Sequence, residues 1–181
     1  MFTRFPRFVF GLLLSFLLVF APAFAVTPAQ DGATLEFSLR SVDGGSITSD
    51  MLRGDVVVLA FGASWLPLSR TQVEGVQRLA DEYRDRDLRV YWVSTDSESQ
   101  KSKNFATDDQ LRSFGRKNGL KIGVLRDPDG ALFKRMGVER NQLPALVIFD
   151  KDGQISGAPI GGLAPEGNLV QQLSARLNKL L

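Results

Sequence analysis

Apolar positions along this chain change their spacing several times, and each spacing predicts one kind of element. Residues 35–39 alternate apolar and polar side chains, which predicts a half-buried strand. Continuous apolar runs, rich in β-branched or aromatic residues, predict four further strands, at residues 55–61, 88–93, 122–125 and 145–149. After a turn at residues 150–153, residues 154–156 are expected to return as the second strand of a hairpin.

Helical spacing of apolar residues marks the segments between these strands. Pro67 suits the first turn of a helix, and its buried stripe would consist of Val73, Val76, Leu79, Ala80 and Tyr83. Thr107 and Gln110 form a capping box that opens a helix to about Lys117, and Gly119 ends it. A short helix is expected around residues 132–136 and an amphipathic one over residues 165–180.

The resulting order is β, β, α, β, α, β, α, β, β, α. Strands that alternate with helices predict a parallel core, to which the hairpin adds antiparallel strands. The fold class is therefore α/β, a three-layer sandwich around a central mixed sheet with a C-terminal β-hairpin, in one domain over residues 35–181. Residues 47–53 are expected to form a turn or short helix, and the polar residues 97–105 an exposed loop.

The first 25 residues have the order of a secretory signal peptide. Arg4 and Arg7 precede an uncharged apolar run over residues 8–20, and Ala23-Phe24-Ala25 is a small-x-small cleavage site. We expect cleavage after Ala25, a flexible lead-in over residues 26–34, and an exported, periplasmic or extracytoplasmic protein. An uncleaved N-terminal anchor is the alternative, and it is the one case in which we expect membrane association.

Charge and composition narrow the function further. The formal net charge is +2, and loss of Arg4 and Arg7 would leave 20 basic and 20 acidic residues, so we expect no nucleic-acid partner. The chain has no cysteine and no histidine, which removes thiolate and imidazole chemistry. Asp127 and Asp129 lack the spacing of a calcium loop and are interpreted as turn residues, so no metal or cofactor is expected.

Four ordered motifs carry a resemblance to a known family. They are residues 53–65 with the following Leu66-Pro67-Leu68-Ser69-Arg70, then Val93-Ser94-Thr95-Asp96, residues 125–131 and residues 142–153. Together they resemble exported thioredoxin-like proteins of the TlpA type, a redoxin family. The resemblance covers about residues 35–180 and implies a thioredoxin-like fold and a thiol–disulfide oxidoreductase.

The chain departs from that family at both catalytic positions. Where the family has Cys-Pro-x-Cys-Arg, this chain has Leu66 and Ser69 in place of the two cysteines. A leucine cannot ionise or attack, and a serine needs an activating base that a chain without histidine does not obviously offer. We therefore assign no catalytic residue and interpret Ser69 as a structural hydroxyl near the helix start.

The family's proline before the last long strand corresponds to Pro144, and the resemblance implies that its peptide bond is cis; a trans proline at a strand start is the alternative. A binding surface for an extended protein segment would then consist of Trp65, Leu66, Pro67, Leu68, Ser69, Arg70, Leu143 and Pro144. The alternative is that these residues only pack. The leading hypothesis is a redox-inactive binding or structural module, and the alternatives are an oxidoreductase or peroxiredoxin-like enzyme by descent and an enzyme with non-thiol chemistry.

Overall fold

The computed structural model describes residues 35–161 and 168–181. The predicted signal peptide and lead-in therefore lie outside the described residues. The helices and strands are β1 (Ser38–Ser41), β2 (Ser46–Thr48), β3 (Val56–Gly62), α1 (Pro67–Glu82), β4 (Leu88–Ser94), α2 (Asp108–Lys117), β5 (Val124–Arg126), α3 (Ala131–Arg135), β6 (Ala145–Phe149), β7 (Ile160–Gly161) and α4 (Leu169–Leu180). Short 3-10 turns lie at Asp50–Leu52, Pro128–Gly130 and Arg140–Gln142.

One mixed sheet runs through the domain in the order β2-β1-β5-β4-β3-β6-β7. Its centre is parallel, because β4 pairs in parallel with both β3 and β5. The remaining pairs, β1 with β2 and β5, and β6 with β3 and β7, are antiparallel. The predicted α/β fold with a parallel core and antiparallel additions is confirmed.

Strand β3 divides the core into the two halves of a three-layer sandwich. All seven of its residues are buried, as its continuous apolar run predicts. Val56, Val58 and Ala60 pack toward the side of α1, α2 and α4. The alternate residues, Val57, Leu59 and Phe61, pack on the opposite side, against residues of β1, α3 and the segment after it.

Helices α1 and α2 begin where their sequence signals place them. Pro67 is the first residue of α1, and Leu66 is its N-cap. In α2 the Thr107 hydroxyl accepts from the Gln110 backbone N–H at 3.2 Å, and the Gln110 side chain accepts from the Thr107 N–H at 2.8 Å. Gly119 then adopts φ of 77°, the left-handed conformation that ends the helix.

The structure corrects two predictions about short elements and shows where α4 begins. Residues 46–48 are strand β2 rather than part of a turn, because they pair with β1 across a turn in which Gly44 and Gly45 have positive φ. Among residues 154–156 only Ile155 pairs with β6, through an isolated bridge to Phe149, and the strand on the side of β6 away from β3 is β7. Helix α4 begins at Leu169, where the Asn168 side chain accepts from the N–H groups of residues 170 and 171, and the predicted helix residues 165–167 lie outside the described residues.

The loop over residues 97–105 is exposed at its centre, as predicted, but its ends are joined. Ser97 and Phe105 form an isolated parallel bridge, and the Ser97 N–H donates to the Asn104 carbonyl at 2.8 Å. The Ala106 N–H donates back to the Ser97 carbonyl at 3.1 Å. The loop therefore delivers residues 105 and 106 to a defined place beside α2.

An ionic network joins β1, β5, this loop and the start of α2. Asp108 accepts from Arg40 at 2.7 Å and from Arg126 at 2.8 Å, and Arg40 also pairs with Glu98 at 2.6 Å. Arg126 is only 3% exposed, so its acidic partners offset the cost of removing its charge from water. Hydrogen bonding from Arg40, and then from Arg126, lowers the pKa of Asp108 to about 2.

Neutralising Asp108 should remove part of the acid sensitivity of the fold. A carboxyl whose pKa is lowered on folding stabilises the native state above its unfolded pKa, and this stabilisation is lost as the pH falls from about 4 toward 2. Asp108→Asn should therefore lower the free energy of unfolding at pH 7 by about 1 to 2 kcal/mol and flatten its decline between pH 4 and 2. Urea unfolding across this pH range measures both effects. Asp109→Asn, at the exposed neighbouring acid, is the control, and equal behaviour of the two variants would contradict the assignment.

Candidate binding site at the start of helix α1

The candidate site lies where the parallel strands reach their carboxyl ends. Gly62 of β3 is level with Ser94 of β4, and Ser94 is level with Arg126 of β5. Residues 63–66 lead from β3 into α1 across this edge, and α2 approaches it from the side of β5. In open α/β sheets this edge is where ligands bind, because loops from neighbouring strands meet there.

A buried carboxylate shapes the turn between β3 and α1. Asp96 accepts from the Ser64 backbone N–H at 2.8 Å, from the Ser64 hydroxyl at 2.9 Å and from the Ser94 hydroxyl at 2.7 Å. It is 1% exposed, so its carboxylate is directed at these donors rather than at solvent. The sequence offered no signal for this role beyond the position of Asp96 after a strand.

A buried glutamine of α1 connects this helix to three strands. The Gln72 side-chain amide donates to the carbonyls of Phe61 and Ala145, each at 3.1 Å. Its carbonyl oxygen accepts from the Trp92 indole N–H at 3.1 Å. Helix α1 is thereby hydrogen-bonded to β3, β6 and β4 at once. Sequence reasoning missed Gln72, although a polar residue seven positions before Leu79, on the buried face of a helix, was an available signal.

Ser69 stands where the TlpA type has its second cysteine, and it takes part in the same set of buried hydrogen bonds. It is fully buried, and its hydroxyl accepts from the Ala63 backbone N–H at 3.1 Å. The interpretation of Ser69 as a structural hydroxyl agrees with this contact. A Cβ atom on Gly62 would lie 2.9 Å from the Ser69 hydroxyl and 2.7 Å from the Gln72 oxygen, so the close approach requires glycine.

The outer surface of the same turn is apolar. Trp65 is 54% exposed and Leu68 is 36% exposed, while Leu66 is half-buried. Pro67 and Arg70 are exposed beside them. Leu66 occupies the N-cap of α1 without a side-chain acceptor, so an uncharged group stands where helix N–H groups would stabilise a thiolate.

Strand β6 brings the last two predicted site residues to this edge. Phe61 pairs with Ala145 in the antiparallel ladder, so Pro144 is level with Gly62. The Leu143–Pro144 peptide bond is cis. Leu143 is half-buried and Pro144 is buried. The predicted residues thus share one edge of the sheet, where Trp65, Leu66, Pro67, Leu68, Arg70 and Leu143 retain exposed surface and Ser69 and Pro144 do not.

Two surface cavities meet at this edge. A depression of about 110 Å³, the α1 depression, is lined by Ser64, Trp65, Leu66, Pro67 and Arg70. A larger cavity of about 550 Å³, the α1–α2 groove, is lined by Ser64, Arg70, Phe105, Ala106, Gln110, Ser113, Phe114, Lys117 and Asn118. Ser64 and Arg70 belong to both linings. Within residues 35–161 and 168–181, no group of three or more acidic side chains is placed to hold a metal ion.

Fold and site together define a class of protein. A parallel-centred mixed sheet, a helix that begins just after β3, and a cis-proline level with that turn are the features of a thioredoxin-like fold, here with leucine and serine at its dithiol positions. The chain belongs to the AhpC/TSA family, whose sequence profile matches residues 30–158.

Individual relatives agree with this classification. The thioredoxin-like protein YneN of Bacillus subtilis (strain 168) is 27% identical over 128 residues, which is 70% of this chain and 68% of that protein. The exposed lipoprotein thioredoxin of Streptococcus pneumoniae is 25% identical, with a TM-score of 0.59 over 78% of this chain and 99% of its own. A secreted disulfide oxidoreductase of Mycobacterium tuberculosis is 22% identical and shows the same fold, with a TM-score of 0.58 over 80% of this chain and 96% of its own.

Replacing Gln72 should destabilise the whole site. Gln72→Leu would leave the Trp92 indole N–H without its partner in the core and free two carbonyls. We expect the free energy of unfolding to fall by about 2 to 4 kcal/mol, since a buried polar group that loses its partner keeps its desolvation cost. Urea unfolding measures this. The same change at the exposed Gln172 of α4 is the control, and equal stability of the two variants would show that the Gln72 bonds contribute little.

Proposed function

We propose that this chain is an exported thioredoxin-fold protein that has lost dithiol chemistry and binds an extended protein segment at the start of α1. The observation that carries the proposal is the exposure of Trp65 and Leu68. In the part of the chain that the structure describes, three large hydrophobic side chains are exposed, and two of them lie here. Apolar side chains grouped at one functional edge are typical of a surface that a partner covers.

The redox-inactive part of the proposal rests on what occupies the two cysteine positions. Leu66 has no ionisable group, and the Ser69 hydroxyl is buried and occupied by the Ala63 N–H. The chain contains no sulfur nucleophile and no histidine that could activate a hydroxyl. An oxidoreductase by descent would need a thiolate from elsewhere, and an enzyme with non-thiol chemistry would need a nucleophile other than Ser69.

Two independent observations support export. The first 25 residues follow the order of a signal peptide, and two of the similar structures are described as a secreted oxidoreductase and an exposed lipoprotein. We therefore propose an extracytoplasmic location. In the described ranges, no helix is both long and apolar enough to span a membrane.

The shape of the surface favours an extended partner. Residues 65–68 cross the carboxyl edge of β3 and Leu143 precedes β6, so the apolar side chains follow the edge of the sheet rather than one helix face. An extended segment directs alternate side chains to opposite sides, so every second residue could contact Trp65 and Leu68 while the others face solvent.

The first test concerns the lost chemistry. We expect the wild-type protein to reduce insulin disulfides no faster than a heat-inactivated sample in the presence of dithiothreitol, because it has no thiol to cycle. Leu66→Cys with Ser69→Cys should introduce measurable turnover, since a cysteine at residue 66 would lie at a helix N-cap that favours a thiolate.

The single Leu66→Cys variant is the control for this test, because one cysteine cannot form the internal disulfide. Wild-type turnover above the heat-inactivated sample would contradict the redox-inactive assignment. A correctly folded double variant without turnover would show that the site differs from its relatives in more than the two cysteines.

The second test concerns binding. We expect selection on the folded protein from a library of random extended decapeptides to enrich sequences with apolar residues at alternate positions. Leu68→Glu should weaken binding of the enriched peptides about tenfold or more, because it places a charge in the covered surface. Met51→Glu is the matched control, since Met51 is 57% exposed and lies in the turn before β3, at the opposite end of that strand from the site. Equal loss in both variants, or enrichment without apolar residues, would contradict the proposed surface.

A further inference from the structure

The α1–α2 groove carries a charge pattern that the proposed apolar surface does not use. Arg70 enters its lining from α1 and Lys117 from α2, and both side chains are exposed. The lining contains no aspartate or glutamate. Neither cation forms an ion pair with another residue in the described ranges, so both charges are available to a ligand.

The two acidic residues of α2 form ion pairs with arginines outside the groove lining. Asp108 pairs with Arg40 and Arg126, and Asp109 pairs with Arg112 one turn along the helix. Asp96, behind Ser64, is buried and bonded to two serines. The net charge presented by the groove lining is therefore positive, although the full chain carries nearly equal numbers of acidic and basic residues.

The groove also has a fixed apolar wall. Phe105 and Phe114 contribute half-buried rings to the lining. Phe114 packs on the buried Trp92 with ring centroids 5.2 Å apart, and Phe105 is held by the bridge to Ser97. A ligand that enters here would meet prepositioned aromatic surface and lose little free energy to rearrangement of the protein.

The groove is continuous with the proposed binding surface. Ser64 and Arg70 line both the groove and the α1 depression that contains Trp65 and Leu66. A segment that covers Trp65 can therefore continue past Arg70 toward Lys117 without leaving the protein surface. Cations at this point of the path would select for acidic residues in the part of the segment that adjoins its apolar residues.

We infer that the α1–α2 groove binds acidic side chains of the partner segment, with Arg70 and Lys117 as the residues that recognise their carboxylates. This rests on the proposed function, because the same extended segment covers Trp65 and Leu68 with its apolar part. The partner is thus a protein segment in which a stretch with apolar residues at alternate positions adjoins aspartate or glutamate.

A pair of blocked peptides tests this inference. Acetyl-Leu-Ala-Leu-Ala-Glu-Ala-Glu-amide carries the apolar and acidic parts, and the same peptide with glutamine for both glutamates is its uncharged match. Both are titrated into isotopically labelled protein, with the backbone amides of Ser113, Phe114 and Lys117 and the Trp65 indole as separate reporters. We expect the acidic peptide to bind about five- to tenfold more tightly at low salt, to shift both sets of signals, and to lose this advantage at 0.5 M salt.

Charge-removing variants locate the effect. In the variant Arg70→Gln with Lys117→Gln, the acidic and the glutamine peptides should bind with equal affinity, because the cations that distinguish them are gone. Arg116→Gln is the matched control, because Arg116 is exposed on α2 beside Lys117 and does not line the groove. Loss of the preference in Arg116→Gln as well would show a general charge effect and overturn the groove as the acidic site.

The outcomes separate this inference from the proposed function. Equal binding of both peptides, lost in Leu68→Glu, would overturn the acidic groove and leave the apolar surface in place. If the acidic peptide shifts the α2 signals equally in wild type and in Leu68→Glu, the proposed apolar surface is overturned, and only the preference of the groove for anions is retained. No saturable shift with either peptide would overturn both.

Discussion

The three hydrogen bonds of the Gln72 side chain are the constraint on which the site depends. They join α1 to β3, β6 and β4 at the level where the chain turns from strand into helix. Gly62 leaves room for them, and Ser69 holds the start of the turn through the Ala63 N–H. Because every one of these groups is buried, their loss would leave unpaired polar atoms in the core. The position of Trp65, Leu66 and Leu68 at the surface follows from this buried arrangement, together with the Asp96 carboxylate beneath Ser64.

The same arrangement explains how the fold retains its site without sulfur. Of the two positions that carry cysteines in the TlpA type, one is half-buried at the helix N-cap and the other is fully buried. Leucine at the first adds apolar surface, and serine at the second supplies a hydrogen-bond acceptor of similar size. What changes is the chemistry at the surface: a position suited to a thiolate now presents an apolar group beside an exposed tryptophan, while Arg70 and Lys117 remain beyond it.

Much of the fold could be predicted from the sequence because its signals are local. Continuous apolar runs predicted β3 and β6. A capping box predicted the start of α2, and Pro67 predicted the start of α1. The misplaced elements are those that depend on partners. Strand β2 has three half-exposed or exposed residues and exists because it pairs with β1, and β7 replaces residues 154–156 as the strand beside β6. Gln72 and Asp96 were missed as site residues for the same reason, since all of their side-chain bonding partners except Ser94 lie between 11 and 73 positions away.

By itself, the sequence determined the fold class, the residues of the candidate site and the absence of cysteine. These follow from hydrophobic periodicity, motif order and residue identity, which are properties of the chain alone. Only the tertiary structure decided which site residues face solvent, that Ser69 is buried, and that α2 brings Lys117 to the same groove as Arg70. Exposure depends on how separate helices and strands pack against one another. Arg70 and Lys117 are 47 positions apart in the sequence, and they line one cavity only because the assembled fold places α1 beside α2.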